Sequence, residues 1–291
     1  MKEGISNILR PISNWVDEIN ICLSGGEPFM YPNLEEIVLY LKKWKKIKKI
    51  MFTSNGTIVN KDLFKKIGKH IDNIQISLEG GETINDQIRG KGIYKCVEKN
   101  IAIYKSMNCR IAINMTIHKL NYKEIDSVVN FCLRNKVNIL AITRLVPVGS
   151  EKKLIKMMLS SEQIKNIYKK LYILSKKYQK KLKFSFDRPL WNIVDNNIGA
   201  PCSVGMNAIA ILSDGTILPC RRLEIPLGNF LTDNFVNVWI DSPILKKLRN
   251  KQNIDKCGKC INLEKCGGCR AIAYGKNKKL MGEDPQCFKE I

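Results

Sequence analysis

Residues 19–28 read Ile-Asn-Ile-Cys-Leu-Ser-Gly-Gly-Glu-Pro, an apolar run that ends in polar and glycine residues. The run has the length and composition of a buried strand, and Gly25 and Gly26 mark its end. Apolar residues then recur at the spacing of one helix face: Leu34, Ile37, Val38 and Leu41. The stretch therefore predicts a strand followed by a helix, which is the repeating unit of a parallel sheet.

The same alternation continues to residue 148, and a basic helix and a short strand follow it. Further strands are predicted over residues 49–53, 73–78, 111–117, 139–146 and 184–186. Further helices are predicted near residues 63–67, 94–107, 125–133 and 161–180. Strands that alternate with helices over short connections predict βαβ units, a parallel sheet and hence an α/β fold. The carboxyl ends of parallel strands carry the ligand site in such folds, so we expect a ligand at that edge.

The charge of the chain is strongly positive. Lysine and arginine total 49 against 27 acidic residues, a formal charge of +22. Because the lysines are spread along amphipathic helices with few aromatic neighbours, solvated helix faces explain them, and no nucleic-acid partner is expected. An acidic partner, such as an electron-donating flavodoxin or an acidic peptide, suits the charge better. The sequence has no apolar run of membrane-spanning length and no signal-peptide core, which predicts a cytoplasmic protein without a membrane partner.

Eleven cysteines are distributed unevenly along the chain. Four lie among apolar neighbours and are expected to be small core residues: Cys22, Cys96, Cys109 and Cys132. The other seven lie between Cys202 and Cys287, beyond a change of pattern to a hairpin around Asp214-Gly215 and a short helix near residues 238–248. In a reducing cytoplasm, such a group predicts metal ligands rather than disulfides.

The central run of this group is Cys257-x2-Cys260-x5-Cys266-Gly-Gly-Cys269. Two thiolates separated by two residues can face one metal centre, and iron–sulfur clusters usually take four cysteines. The alternative is a zinc knuckle built from the four cysteines of this run. Zinc ribbons usually have more chain between their two pairs, and zinc would leave Cys202, Cys220 and Cys287 unused. The spacing therefore favours iron–sulfur clusters over zinc.

The cysteine pattern resembles the SPASM domain of radical S-adenosylmethionine (radical SAM) enzymes. The match runs from Cys202-x12-Gly215-x4-Cys220 through the central run to Gly282-Glu-Asp-Pro-Gln-Cys287. It departs from the family in one place, because the family more often has three residues between the last two cysteines of the central run.

The N-terminal half resembles the radical SAM barrel. Gly25-Gly26-Glu27-Pro28 is similar to the motif that ends the second strand of that barrel. Three more segments follow at the expected strand ends: Thr53-Ser54-Asn55-Gly56, Gln75-Ile76-Ser77-Leu78-Glu79-Gly80 and Arg89-Gly90. The resemblance covers residues 19–287. It implies a partial (β/α)6 radical SAM barrel over residues 1–190 and a small cysteine-rich SPASM iron–sulfur domain over residues 191–291.

The resemblance also implies which residues bind the cofactors. The SAM contacts it implies are Gly25, Gly26, Glu27, Pro28, Ser54, Asn55, Ser77, Arg89 and Leu145. Among these, Glu27 and the backbone of its motif would receive the amino group of SAM, and Leu145 would lie near the adenine. Ser54, Ser77 and Arg89 are implied for the ribose and the carboxylate.

Two auxiliary 4Fe-4S clusters are implied in the SPASM domain. Cluster I would take Cys202, Cys220 and Cys269, and cluster II would take Cys257, Cys260, Cys266 and Cys287. Because residues 203–209 contain no cysteine, cluster I is expected to have an iron with an open position.

One part of the family pattern is missing. The family's Cys-x3-Cys-x2-Cys loop, which binds the cluster that reduces SAM, lies ahead of the strand at Ile19, and no cysteine precedes Cys22. The first strand and helix of the barrel are likewise expected to be missing or eroded. Either the chain begins at an internal methionine of a longer protein, or it is a degenerate homologue. As it stands, the chain is expected to be unable to cleave SAM.

The implied function is that of a radical SAM/SPASM oxidoreductase or maturase. Such an enzyme would use a 5′-deoxyadenosyl radical to modify a peptide or protein substrate, with flavodoxin or ferredoxin as electron donor. Two alternatives stay open: a tetrapyrrole decarboxylase-like radical SAM enzyme of the haem pathway, and a non-catalytic iron–sulfur or SAM-binding remnant if Met1 is the true start.

Overall fold

The computed structural model describes residues 2–148 and 151–290. The chain divides into two compact units. The first contains Met1–Thr143 and Tyr178–Ser185, and the second contains Arg144–Lys177 and Phe186–Ile291. The domain boundary implied between residues 190 and 191 stays a prediction.

A six-stranded sheet with its strands in chain order forms the centre of the first unit. The strands are β1 (Ile19–Leu23), β2 (Ile47–Ser54), β3 (Asn73–Ser77), β4 (Ile111–Ile117), β5 (Ile139–Arg144) and β6 (Lys183–Ser185). The pairs β1·β2, β2·β3, β3·β4 and β5·β6 are parallel. The prediction of an α/β fold around a parallel sheet is confirmed.

In the described part of the first unit, six α-helices accompany this sheet along the chain. They are α1 (Lys2–Ser13), α2 (Leu34–Leu41), α3 (Lys61–Ile67), α4 (Glu82–Arg89), α5 (Ile93–Ser106) and α6 (Ile125–Arg134). Helices α2, α3, α5 and α6 were predicted, whereas the short α4 between Gly81 and Gly90 was not.

Helix α1 corrects one expectation, since a helix ahead of Ile19 is present rather than missing or eroded. Leu9 is buried, and the Ser6 hydroxyl contacts the hydroxyl of Tyr40 in α2. Lys46 closes the end of α1 by donating to the carbonyl oxygen of Ser13 at 2.6 Å. The polar sequence and Pro11 concealed this helix from sequence reasoning. Between residues 2 and 18, the described chain contains no strand.

The two faces of the sheet differ in chemistry. One face carries large apolar residues that are fully buried, among them Ile50, Phe52, Ile74, Ile76, Ile111 and Ile113. Phe52 stacks on Phe29 at a centroid distance of 5.0 Å, which covers this face. The opposite face carries smaller polar residues that stay partly accessible, such as Cys22, Thr53 and Gln75. Parallel sheets usually bury apolar residues on both faces, so this polar face is the one available to a ligand.

Among the residues that the structure describes, the second unit contains five α-helices and a small antiparallel sheet. The helices are α7 (Glu151–Met157), α8 (Ser161–Tyr178), α9 (Phe235–Asp241), α10 (Pro243–Arg249) and α11 (Arg270–Asn277). The sheet contains β7 (Ala210–Ile211), β8 (Thr216–Leu218) and β9 (Gly228–Asn229). Helix α8 and the hairpin around Asp214-Gly215 were predicted and are confirmed. Among the described residues, no helix is both long enough and apolar enough to cross a membrane.

The single helix predicted over residues 238–248 is two helices. Ser242 separates α9 from α10, and its hydroxyl accepts the backbone N–H of Leu245 at 3.4 Å. Pro243 is the first residue of α10, where its fixed φ suits a helix start and its missing N–H costs nothing. The prediction was wrong because it treated the apolar spacing as continuous across a Ser-Pro helix start.

Candidate functional site

Glu27 braces the turn that follows β1. Its carboxylate accepts the Ser54 hydroxyl at 2.9 Å, the backbone N–H of Asn55 at 2.7 Å and the backbone N–H of Phe29 at 3.3 Å. The Ser54 oxygen in turn accepts the N–H of Gly56 at 2.9 Å. One carboxylate therefore ties together the carboxyl ends of β1 and β2, and it unites three of the predicted residues.

Gly25 and Gly26 form the open part of the same turn. Gly25 has a φ of +144°, and a Cβ at either glycine would meet no atom within 4 Å. Pro28 begins a 3-10 turn, Pro28–Met30, directly after Glu27. The backbone groups of the two glycines are thus accessible to a ligand from a turn whose shape is fixed by Glu27.

Glu79 holds Arg89 beside the carboxyl end of β3. Its carboxylate, in a residue only 3% exposed, accepts from an Arg89 terminal nitrogen at 2.5 Å and from the backbone N–H of Thr116 at 2.9 Å. The Nε of Arg89 is buried and has no hydrogen-bond partner among the described residues. Arginine presents several donors in a planar fork that matches a carboxylate, so Arg89 retains a donor for an anionic ligand. Sequence reasoning found Arg89 but gave Glu79 no role.

A row of uncharged polar groups crosses the accessible face of the sheet. Ser77 is paired in register with Asn114, whose amide donates to the Thr143 hydroxyl at 3.3 Å. The hydroxyls of Thr116 and Thr143 lie 3.2 Å apart. Sequence reasoning named Ser77 and missed the other three. The two-residue spacing of Asn114 and Thr116 on a strand was the signal that could have found them.

Four cysteines line one pocket in the second unit: Cys257, Cys260, Cys266 and Cys287. The backbone N–H of Leu190 donates to the Cys266 sulfur at 3.4 Å, and that of Asn262 donates to the Cys260 sulfur at 3.4 Å. Burial raises the pKa of Cys257 to about 11 and also raises the pKa values of Cys266 and Cys287. Soft sulfur donors that receive backbone N–H groups fit an iron–sulfur cluster, which would take them as thiolates.

The remaining three cysteines of the group also lie close together. Burial raises the pKa of Cys202, and the neighbouring charges of Cys269 and Cys220 raise it further. The backbone N–H of Arg222 donates to the Cys220 sulfur at 3.5 Å. Cys202, Cys220 and Cys269 all pack against the core of the second unit. Within residues 2–148 and 151–290, no three His, Cys, Asp or Glu side chains converge closely enough to hold a single metal ion.

Asp284 connects the cysteine-bearing loops through a buried ion pair. It binds Arg144 through two contacts, at 2.9 and 2.8 Å, and it accepts the backbone N–H of Cys269 at 2.8 Å. Burial alone would raise the pKa of Asp284. The guanidinium of Arg144 and the two backbone N–H groups of Cys269 and Gln286 hold that pKa below its usual value. Sequence reasoning quoted Asp284 as part of a motif and missed Arg144.

Leu145, implied as the adenine contact, lies in the second unit and is partly buried against its core. The core of that unit also contains an aromatic stack, in which the rings of Tyr168 and Trp191 lie 3.7 Å apart. Burial raises the pKa of Tyr168 to about 12.

Comparison with family models matches two parts of the chain. Residues 8–132 match the Radical SAM superfamily, and residues 202–261 match SPASM, an iron–sulfur cluster-binding domain. An AdoMet-dependent heme synthase of Nitratidesulfovibrio vulgaris is 24% identical, over 92% of this chain and 78% of the relative. The mycofactocin maturase MftC of Mycobacterium ulcerans is 26% identical, over 96% of this chain and 79% of the relative.

Solved structures share the fold. Streptococcus suis SuiB bound to S-adenosylmethionine matches with a TM-score of 0.73 and 20% identity, over 97% of this chain and 68% of that one. SuiB bound to its precursor peptide SuiA matches with a TM-score of 0.71. The likeness shows that this chain has the fold of a radical SAM enzyme followed by a SPASM domain.

Removing Asp284 should destabilise the second unit. We expect Asp284→Ala to lower the free energy of unfolding by about 3–5 kcal/mol, because it leaves Arg144 buried without its partner. Denaturant unfolding followed by tryptophan fluorescence measures this, with Glu283→Ala as the exposed neighbouring control, expected to change it by less than about 0.5 kcal/mol.

The loss of stability in Asp284→Ala should also depend on pH. Because the folded pKa of Asp284 is held below 3.8, its stabilisation is complete above that value and is lost as the pH falls through the folded pKa. The difference between the wild type and Asp284→Ala should therefore shrink between neutral pH and about pH 3. A difference that does not change with pH, or an equal loss in Glu283→Ala, would contradict the assigned ion pair.

Proposed function

Because this chain belongs to the radical SAM superfamily and carries a SPASM domain, we propose that it serves in the radical modification of a peptide or protein. In this proposal SAM binds at the carboxyl edge of the parallel sheet, and two auxiliary 4Fe-4S clusters lie in the second unit. Flavodoxin or ferredoxin is the proposed electron donor. In this family bound SAM supplies the radical that abstracts hydrogen, and the residues described above bind and orient it.

The amino group of SAM is assigned to the turn after β1. The carbonyl groups of Gly25 and Gly26 are accessible, and Glu27 adds a negative charge beside them. Its Oε2 atom accepts one hydrogen bond, from Asn55, so it keeps a lone pair for the ammonium. Ser54 and Pro28 shape this turn.

The carboxylate and the ribose are assigned to the next strand ends. Arg89 carries the charge that a carboxylate requires, and Glu79 fixes its orientation. The Ser77 hydroxyl has no hydrogen-bond partner within the described residues, which suits it to a ribose hydroxyl. Leu145 stays a proposal for the adenine contact.

The cysteines of the second unit are assigned to two clusters. Cluster I takes Cys202, Cys220 and Cys269, and its fourth iron has no cysteine ligand. Cluster II takes the four cysteines that line the pocket described above. A zinc ion holds its sulfur ligands only about 2.3 Å from its centre. Among the described residues, no three such side chains converge closely enough to hold a single ion, so the four thiols suit a polynuclear cluster better.

The side chains on the accessible face of the sheet favour a peptide substrate over a tetrapyrrole. Toward the carboxyl ends of the strands, this face carries amide, hydroxyl and thiol groups without charge: the accessible or partly accessible Cys22, Thr53, Gln75, Ser77, Thr116 and Thr143, and the buried Asn114. Such groups match the donors and acceptors of a peptide backbone. A haem-pathway tetrapyrrole carries several carboxylates, and these seven positions offer them no cation.

The 291 residues contain no Cys-x3-Cys-x2-Cys motif. We therefore propose that these residues bind SAM and the auxiliary clusters, and that they do not reduce SAM by themselves. Reduction would need a cluster loop that this sequence does not contain.

Removing Arg89 should weaken SAM binding. We expect Arg89→Ala to raise the Kd for SAM at least tenfold, because a hydrogen bond to a charged group contributes about 1.5–3 kcal/mol. Isothermal titration calorimetry measures this. Glu79→Gln should raise the Kd less, since it loosens Arg89 without removing it. Arg134→Ala, on the surface of α6, is the matched control and should leave the Kd unchanged. Unchanged affinity in both Arg89→Ala and Glu27→Ala would refute the assigned SAM site.

A porphyrin titration separates the two substrate classes. Adding an iron coproporphyrin to the reconstituted protein should give no saturable one-to-one shift of the Soret absorption, because the sheet face offers the carboxylates no cation. Bovine serum albumin, which binds porphyrins, is the positive control for the assay. A saturable shift that SAM strengthens would support the tetrapyrrole alternative and contradict a peptide substrate.

A further inference from the structure

Arg270 is a buried cation without a carboxylate partner. It is the first residue of α11 and is 3% exposed. Its guanidinium donates to three backbone carbonyls, of Leu280 at 3.2 Å, Gly282 at 2.6 Å and Gly267 at 2.9 Å. Its Nε is buried with no hydrogen-bond partner, and none of the acidic residues in the described chain forms an ion pair with it.

The same unit neutralises its other buried guanidinium. Arg144 is 5% exposed and forms a two-contact ion pair with Asp284. Burying a guanidinium without a counter-charge costs several kcal/mol, even when neutral carbonyl oxygens accept its hydrogen bonds. The fold gives Arg144 a carboxylate partner and gives Arg270 none. We therefore expect a bound group with negative charge near Arg270.

The cavity lined by Cys257, Cys260, Cys266 and Cys287 lies next to Arg270 and can hold that negative charge. Gly267, which Arg270 contacts, lines this cavity together with Gly268. A terminal nitrogen of Arg270 lies 3.0 Å from the point where Gly268 would carry a Cβ. The guanidinium of Arg270 therefore lies directly behind the two glycines that line the cavity.

We propose that Arg270 is the buried counter-charge of cluster II and sets its reduction potential. The inference rests on the cluster assignment proposed above. A 4Fe-4S core held by four thiolates carries a net negative charge, and reduction adds one electron to it. A buried cation stabilises the reduced state more than the oxidised state, so Arg270 raises the potential. Arg270 is a positioning and tuning residue, and it is no ligand.

The test is a redox titration of the anaerobically reconstituted full chain, followed by electron paramagnetic resonance. A Cys202→Ala background removes cluster I, so that the signal comes from cluster II. Arg270→Gln should lower the equilibrium constant for reduction at least tenfold, which corresponds to about 59 mV for one electron. Arg270→Lys keeps the charge and should recover most of this shift. Arg188→Gln removes the same charge from an exposed position of the same unit and should leave the potential unchanged.

Iron and sulfide analysis of each variant makes the outcomes distinct. If Arg270→Lys retains cluster II and Arg270→Gln loses it, the result would also support a requirement for positive charge at this position. An unchanged potential in Arg270→Gln, or equal shifts or equal cluster loss in Arg270→Gln and Arg270→Lys, would overturn the inference and leave the cluster assignment intact. Absence of iron and sulfide from the unsubstituted chain would overturn the cluster assignment itself, and the inference with it.

Discussion

Asp284 is enclosed on all sides by hydrogen-bond donors. Arg144 binds both of its oxygens, and the backbone N–H groups of Cys269 and Gln286 donate to the same carboxylate. The carbonyl of Asp284 accepts the N–H of Cys287 at 2.9 Å. Because the desolvation of a carboxylate is costly, a buried one is stable only when hydrogen bonds and a cation compensate for the lost water. The positions of Cys269 and Cys287, one from each proposed cluster, depend on this residue.

Carboxylates have the same role at the strand ends of the first unit. Glu27 ties the turn after β1 to the end of β2, and Glu79 ties Arg89 to β4. In both places an acidic side chain accepts backbone N–H groups from a neighbouring element. The groups assigned to the ligand, such as the Gly25 backbone and the Arg89 guanidinium, are thereby oriented before any ligand binds. Binding sites gain affinity from such preorganisation, because less order has to be created on binding.

The strands of the first unit could be predicted from sequence because each is a short apolar run with a polar end. Helix α1 could not be predicted in the same way, because Pro11 and its polar neighbours mask an amphipathic helix. The spacing of the seven C-terminal cysteines indicated a metal centre, and the family resemblance supplied their division into two sets.

The contacts that orient the site were beyond sequence reasoning. Arg144 and Asp284 are 140 residues apart, and no local pattern relates them. Thr116 meets Glu79 through its backbone, which a side-chain pattern does not show. Arg270 belongs to the cysteine motif in the sequence, but its importance depends on its burial, which follows from tertiary packing alone.

The central claim is that the seven C-terminal cysteines hold two iron–sulfur clusters. Anomalous diffraction from crystals of the anaerobically reconstituted protein, collected on both sides of the iron edge and of the zinc edge, tests it most directly. We expect two separate iron peaks, one in the cavity of Cys257, Cys260, Cys266 and Cys287 and the other beside Cys202, Cys220 and Cys269. A single peak that appears only above the zinc edge, bound by Cys257, Cys260, Cys266 and Cys269, would contradict the account.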